Sequence, residues 1–410
     1  MKKLIFYFVV VSFTFSSLAQ KPFEKQNLTN QEGSEYQFTI VKQLDVTPVK
    51  NQYRTGTCWS FSTMSFLESE ALRKGKPQVN LSEMWIARNA YVGKAQNYLR
   101  RDGHNNFGQG GLFHDIPWVI RNHGLVPEHV YPGLAYGENK HNHSELHAVL
   151  KSMLEALNKK PQGRKLTTAW LPAFKGVLNA YLGNVPENTE DLKFEIFGKT
   201  FTPISFMQYL EINPDDYVEF TSFTHHPFYT WFALEIPDNW NFEQAFNVKV
   251  DELTEIAEHA IMNGYTVAWG SDVSEKGFSH RNGLAIVPED ERTVSDRKSK
   301  EKFLLIKGEK VPNGFMQPVK EVEVTQEMRQ DAFERKLTTD DHGMHIVGIV
   351  KDQTGKKYFI VKNSWGDTND LNGYFFASYP YFKYKTTMIM VHKDAVPKKI
   401  KKKMSCKKLK

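Results

Sequence analysis

The stretch that most constrains this chain runs from Val46 to Phe61. It reads Val46-Thr47-Pro48-Val49-Lys50-Asn51-Gln52, then a short loop, then Cys58-Trp59-Ser60-Phe61. Beyond Cys58 the apolar Phe61, Met64, Phe66, Leu67 and Leu72 alternate with small Ser60, Ser62 and Ser65. That spacing predicts a buried helix, with Gly75 as its stop. A cysteine in the first turn of a helix feels the positive end of the dipole, which favours thiolate. Gln52 lies six residues upstream, where an amide N–H can reach an oxyanion forming near the sulfur. Alone, a buried cysteine is only a small hydrophobe. The reading therefore depends on what the rest of the chain supplies.

A thiol nucleophile needs an imidazole to share its proton, a group to orient that imidazole, and an oxyanion donor. Two downstream segments offer these. Thr339-Asp340-Asp341-His342-Gly343-Met344-His345-Ile346-Val347-Gly348 leads into a strand. Alternation puts His342 and Met344 on one face and Gly343 and His345 on the other. Tyr358 to Gly366, ending Lys362-Asn363-Ser364-Trp365-Gly366, reads as a partner strand. Pairing the two would bring Asn363 beside His342, where its amide oxygen can accept from the ring N–H. Trp365 would shield that bond from water.

These three segments, in this order, resemble papain-like cysteine peptidases. Further matches point to the bleomycin hydrolase and aminopeptidase C branch. They are Leu81-Ser82-Glu83, Gly110-Gly111, Tyr131-Pro132, Thr202-Pro203 with Phe206, and Val250 to Val273. The resemblance implies an α+β, papain-like two-lobed fold, a helical lobe and a β-barrel-like lobe with the cleft between them. It assigns Cys58 as nucleophile, His342 as base, Asn363 as its orienter and Gln52 as oxyanion donor. His345 becomes a core residue. Gly110, Gly111 and Trp365 become substrate-binding residues, the glycine backbone bonding an extended peptide. No metal or cofactor is called for. The implied function is hydrolysis of peptide substrates, most simply as an aminopeptidase. The alternatives are an endopeptidase with an open cleft and a catalytically silent binding protein.

The resemblance also implies a homo-oligomer, a hexamer, whose C-terminal arm lies in the cleft and anchors the substrate amino group. Here the chain departs from the pattern. It ends in a run with eight lysines after Pro397. Such like-charge runs are usually solvated and disordered. Without that tail and Lys2-Lys3 the net charge of +6 becomes −4. The basic balance belongs to the ends, and no nucleic-acid footprint is expected over the body.

Residues 1–19 read as a signal peptide, with Lys2-Lys3, an apolar run from Leu4 to Phe15, and small residues before Gln20. Export to the periplasm or the exterior follows, with no transmembrane segment once the leader is removed. The two cysteines, Cys58 and Cys406, allow no disulfide framework and no cysteine-built zinc site. The expected layout is a short segment 20–40, a catalytic domain 41–396 with an insertion at about 135–250, and a basic tail 397–410. His141, His143 and His147 lack a carboxylate–histidine metal motif and read as a solvated helix start.

Overall fold

A computed structural model describes residues 20–25, 27–159 and 165–405. The expected leader and Cys406 lie outside the described residues.

The first half is helical. Cys58–Arg73, Glu83–Arg100, Asp115–His123, Ser144–Asn158 and Trp170–Leu182 share one apolar core. The nucleophile helix has no exposed stripe: from Trp59 to Ala71 every residue is buried. Its serines and threonines make that possible, because they are small and can return their hydroxyls to the helix. Thr63 Oγ1, for example, donates to the Trp59 carbonyl at 2.7 Å. Ser82 caps the next helix, its hydroxyl accepting from the Trp85 N–H at 3.0 Å. The histidines at 141 and 143 are not solvated as expected. His143 is fully buried and His141 nearly so, packed among Phe61 and Tyr91. Burial pushes their imidazoles down to about 4 and 3.

The second half is built on a sheet of twelve strands among the described residues. Its centre is the strand His342–Lys351. Val267–Ser271 pairs with the first half of that strand and Phe38–Gln43 with the second, while Lys357–Lys362 runs along its other side. All these pairings are antiparallel. The strand is buried along nine of its ten residues, which explains why its sequence is nearly continuously apolar or small. Helices Val250–Met262 and Tyr379–Lys385 cover one face of the sheet. Short strands from the 135–250 region, Tyr217–Thr221, Trp231–Phe232 and Ala245–Asn247, extend one edge.

The nucleophile helix packs directly on the His342–Lys351 strand. Gly343 permits this. A β-carbon there would lie 3.1 Å from the Trp59 Cα and 3.0 Å from Ser62 Oγ. Further along, the two halves meet through buried polar groups. His345 Nδ1 lies 3.0 Å from Ser65 Oγ. Lys362 Nζ donates to Ser65 Oγ at 2.7 Å and to Thr47 Oγ1 at 3.1 Å. Lys50 Nζ bridges Glu68 at 3.1 Å and Glu83 at 2.5 Å.

The lysine-rich tail differs from expectation. Lys398–Ser405 is a helix, and its Ile400 is fully buried. The acidic face of helix Val250–Met262 holds it: Lys399 pairs with Glu255 and Lys403 with Glu252, each at 2.5 Å. Lys403 Nζ also donates to the Tyr229 hydroxyl at 3.0 Å. One apolar side chain and a complementary surface offset the repulsion within the run. The described part of the tail therefore lies on the helix that backs the sheet.

Lys50→Met should destabilise the fold by about 3–5 kcal/mol, because it strands two carboxylates that are almost fully buried. Urea unfolding followed by tryptophan fluorescence would measure the loss.

Candidate active site

Cys58 opens its helix, and His342 opens the central strand. Packing of helix on strand brings both to one narrow pocket, together with Trp59, Gly111, Gly343, Asp238 and Asp340. Burial pushes the Cys58 thiol up to about 12, although the Gly343 and Trp59 backbone N–H groups oppose the shift. Burial likewise pushes His342 down to about 4, against the pull of Asn363. The expected preference for thiolate is thus outweighed by desolvation for the thiol alone. Proton transfer from sulfur to imidazole instead makes two opposite charges together, and their mutual attraction offsets part of that desolvation.

His342 has a fixed ring orientation. Its Nε2 is 2.7 Å from Asn363 Oδ1. The amide of Asn363 is itself assigned by its neighbours: the Ser364 backbone N–H can only donate, and it reaches Asn363 Oδ1 at 2.8 Å. The other end, Nδ2, donates to His280 Nδ1 at 3.1 Å. His342 Nε2 therefore carries a proton, and Nδ1 remains for the thiol. Trp365 stacks on the imidazole with ring centroids 4.6 Å apart. It covers the His342–Asn363 bond, as expected, while remaining partly exposed.

Gln52 is buried beside this group. Its Nε2 donates to the Thr55 carbonyl at 2.7 Å, and its Oε1 accepts from Ser364 Oγ at 2.6 Å. These bonds hold the amide and leave its second N–H available. The backbone N–H of Gln52 also donates to the Ser364 carbonyl at 2.9 Å, so the nucleophile loop is tied to the Asn363 segment twice.

Gly110 and Gly111 form the facing wall. Trp59 Nε1 donates to the Gln109 carbonyl at 3.0 Å, and Gln109 Oε1 accepts from the Gly56 N–H at 2.8 Å. Lys94 is buried behind this wall and donates to the Gly110 carbonyl. A β-carbon on Gly110 would collide with the Asp238 carboxylate, and one on Gly111 would meet Asp115 and Trp59. Both positions need glycine for lack of space.

Sequence reasoning missed four residues. His280 carries no motif, and only the fold brings it to Asn363. Asp238 arrives from the 135–250 region. Lys94 is a buried cation whose charge is opposed to those of Asp115 and Asp238. Asp340 stands two residues before His342 in the sequence and read only as a preceding acid. Elsewhere, among the described residues, His225, His226 and Glu235 bring three metal-type ligand atoms within 4.8 Å of one another. Glu235 already pairs with both rings there, at 3.0 and 2.7 Å.

Comparison with known proteins agrees with this geometry. Residues 36–169 match the papain family cysteine protease model, and residues 317–410 match the Peptidase C1-like family model. Aminopeptidase G of Lactobacillus delbrueckii subsp. lactis is 24% identical, over 87% of this chain and 83% of that protein. Bleomycin hydrolase of Mus musculus is 22% identical, over 90% of this chain and 85% of that protein. The crystal structure of PepW from Lactobacillus rhamnosis HN001 superposes with a TM-score of 0.68 at 19% identity, covering 90% of this chain and 85% of that one. That last likeness is one of fold.

His280→Ala frees one end of the Asn363 amide. It should raise the barrier by about 1 kcal/mol, the worth of one neutral hydrogen bond, which is roughly fivefold to tenfold in kcat. The change should fall on kcat rather than KM in steady-state kinetics with a peptide substrate.

Proposed function

We infer that this chain, a papain-like protein of the bleomycin hydrolase and aminopeptidase C branch, works as a cysteine aminopeptidase. The observation that carries the reading is the pocket shared by Cys58 and His342, with His342 Nε2 tied to Asn363 Oδ1 at 2.7 Å. A thiol, a ring nitrogen free to take its proton, and a neutral orienting amide are the requirements of acyl transfer.

In this reading the Cys58 sulfur attacks the carbonyl carbon of the first peptide bond, and its proton passes to His342 Nδ1. The oxyanion takes the Cys58 backbone N–H and the spare amide N–H of Gln52. His342 then protonates the leaving amine as the C–N bond breaks. Water, deprotonated by the same imidazole, attacks the thioester and releases the amino acid. Asn363 holds the imidazolium without contributing a full charge, and Trp365 keeps water off that bond.

Two observations favour removal of single N-terminal residues over cleavage inside chains. One of the long relatives described above is named an aminopeptidase, and Asp238 crowds the cleft wall at Gly110. The leader pattern of residues 1–19 supports export. N-terminal sequencing of secreted protein, expected to begin at Gln20, would test that part.

The activity is tested with one peptide series bearing free or acetylated N-termini. The free series should be trimmed and the acetylated series left intact. Cys58→Ala should reduce turnover by about 10⁴- to 10⁶-fold. Equal cleavage of both series would make this an endopeptidase, and unchanged turnover in Cys58→Ala would remove the peptidase reading.

A further inference from the structure

The pocket beside Cys58 contains two carboxylates that the acyl-transfer chemistry does not use. Asp340 lies two residues before the strand that begins at His342, and Asp238 reaches in from the 135–250 region against Gly110. Asp238 accepts from Asn106 Nδ2 at 3.2 Å, and the buried Lys94 lies near enough to oppose its charge. Asp340 has no lysine or arginine among the groups that act on it: burial, Asp238 and Asp341 push its carboxyl well above the usual range, and only His114 and the Thr387 hydroxyl oppose them. Its Oδ2 is buried and makes no hydrogen bond of good geometry, although the hydroxyl of neighbouring Thr387, also unsatisfied, lies near enough to favour the carboxylate. An orphaned carboxylate oxygen in a native site is costly, so its place in the cleft calls for a ligand.

The size of the space narrows the choice. The free volume of this pocket is about 20 Å³, room for one water-sized group. A primary ammonium group is of about that size. Both carboxylates also act electrostatically on the Cys58 thiol. A cation held by them is therefore close to the reacting carbonyl. In an amino acid residue the α-nitrogen is one carbon from that carbonyl.

We propose that Asp238 and Asp340 together anchor the α-ammonium group of the substrate. The proposal rests on the aminopeptidase reading and gives the chain's own carboxylates the task of selecting free N-termini. Other charged groups face Asp340 as well. Asp341 is held by the Ser274 hydroxyl at 2.5 Å, and His114 is paired with Glu219 at 2.7 Å. These groups already have partners, whereas Asp340 has only the Thr387 hydroxyl near it and keeps acceptor capacity toward the cleft. Asp238 faces the same pocket from beside Gly110.

The test is protection of Cys58, which does not require turnover. Full-length mature protein is alkylated with iodoacetamide, and labelling of Cys58 is followed by mass spectrometry. Alaninamide should slow the labelling, and N-acetylalaninamide at the same concentration should not. Asp340→Asn and Asp238→Asn should each weaken protection by about 10- to 100-fold, the worth of a charged hydrogen bond, while Cys58 stays alkylatable. Equal protection by the acetylated amide overturns the proposal. So does protection that survives in both variants and in the double variant. If N-acetyl-lysinamide protects as well as alaninamide, the carboxylates read a side-chain ammonium and the proposal also fails. The wild-type comparison stands even if a variant does not fold. Should alaninamide protect while no peptide is cleaved, the anchor survives and the peptidase reading falls. Should peptides be trimmed without selective protection, the reverse holds.

Discussion

The close contact between the start of one helix and the start of one strand governs this molecule. Cys58 begins the helix and His342 begins the strand, and they meet because Gly343 has no side chain to hold them apart. A methyl group there would press on the Trp59 backbone. Backbone can yield only by moving the helix, which is buried from Trp59 to Ala71. The positions of both reacting groups are thus set by core packing of the whole protein, not by a local loop. Such packing allows little drift, because interiors are as dense as organic crystals.

Around that contact the supporting groups form a chain of bonds with few free choices. The Ser364 N–H sets the direction of the Asn363 amide, and that amide sets which nitrogen of His342 carries a proton. His280 secures the other end. Gln52 is joined to Ser364 through both backbone and side chain, so Gln52 and the Asn363 segment are held together. Desolvation penalises the charge on each partner taken singly. It also strengthens the attraction when both become charged together. The pocket therefore couples the two titrations into one event.

Charge elsewhere follows the same rule of compensation. Lys50 sits between two buried glutamates, and the tail lysines sit on the acidic side of helix Val250–Met262. Ile400 gives the tail helix an apolar foothold that its composition hides. Asp238 and Asp340 are less fully compensated, since Asp340 keeps a buried oxygen without a hydrogen bond of good geometry in the cleft.

Much of this was legible in the sequence. The Cys58 helix, the Ser82 cap, and the strands carrying His342 and Asn363 are local features, encoded by periodicity and capping chemistry over a few residues. The alternation that separates His342 from His345 is equally local, and the family resemblance names which of the two faces the thiol. Tertiary structure alone decided the rest. His280 reaches Asn363 from 83 positions away, and Asp238 comes to Asp340 from a region with no motif. The tail gave the clearest difference. Its lysines, taken alone, repel one another into solvent, but an acidic helix nearly 150 residues earlier turns that repulsion into docking. Local pattern fixes which groups can do chemistry, because each element's periodicity is written in its own residues. The company those groups keep depends on long-range packing, and no short window of sequence contains both partners.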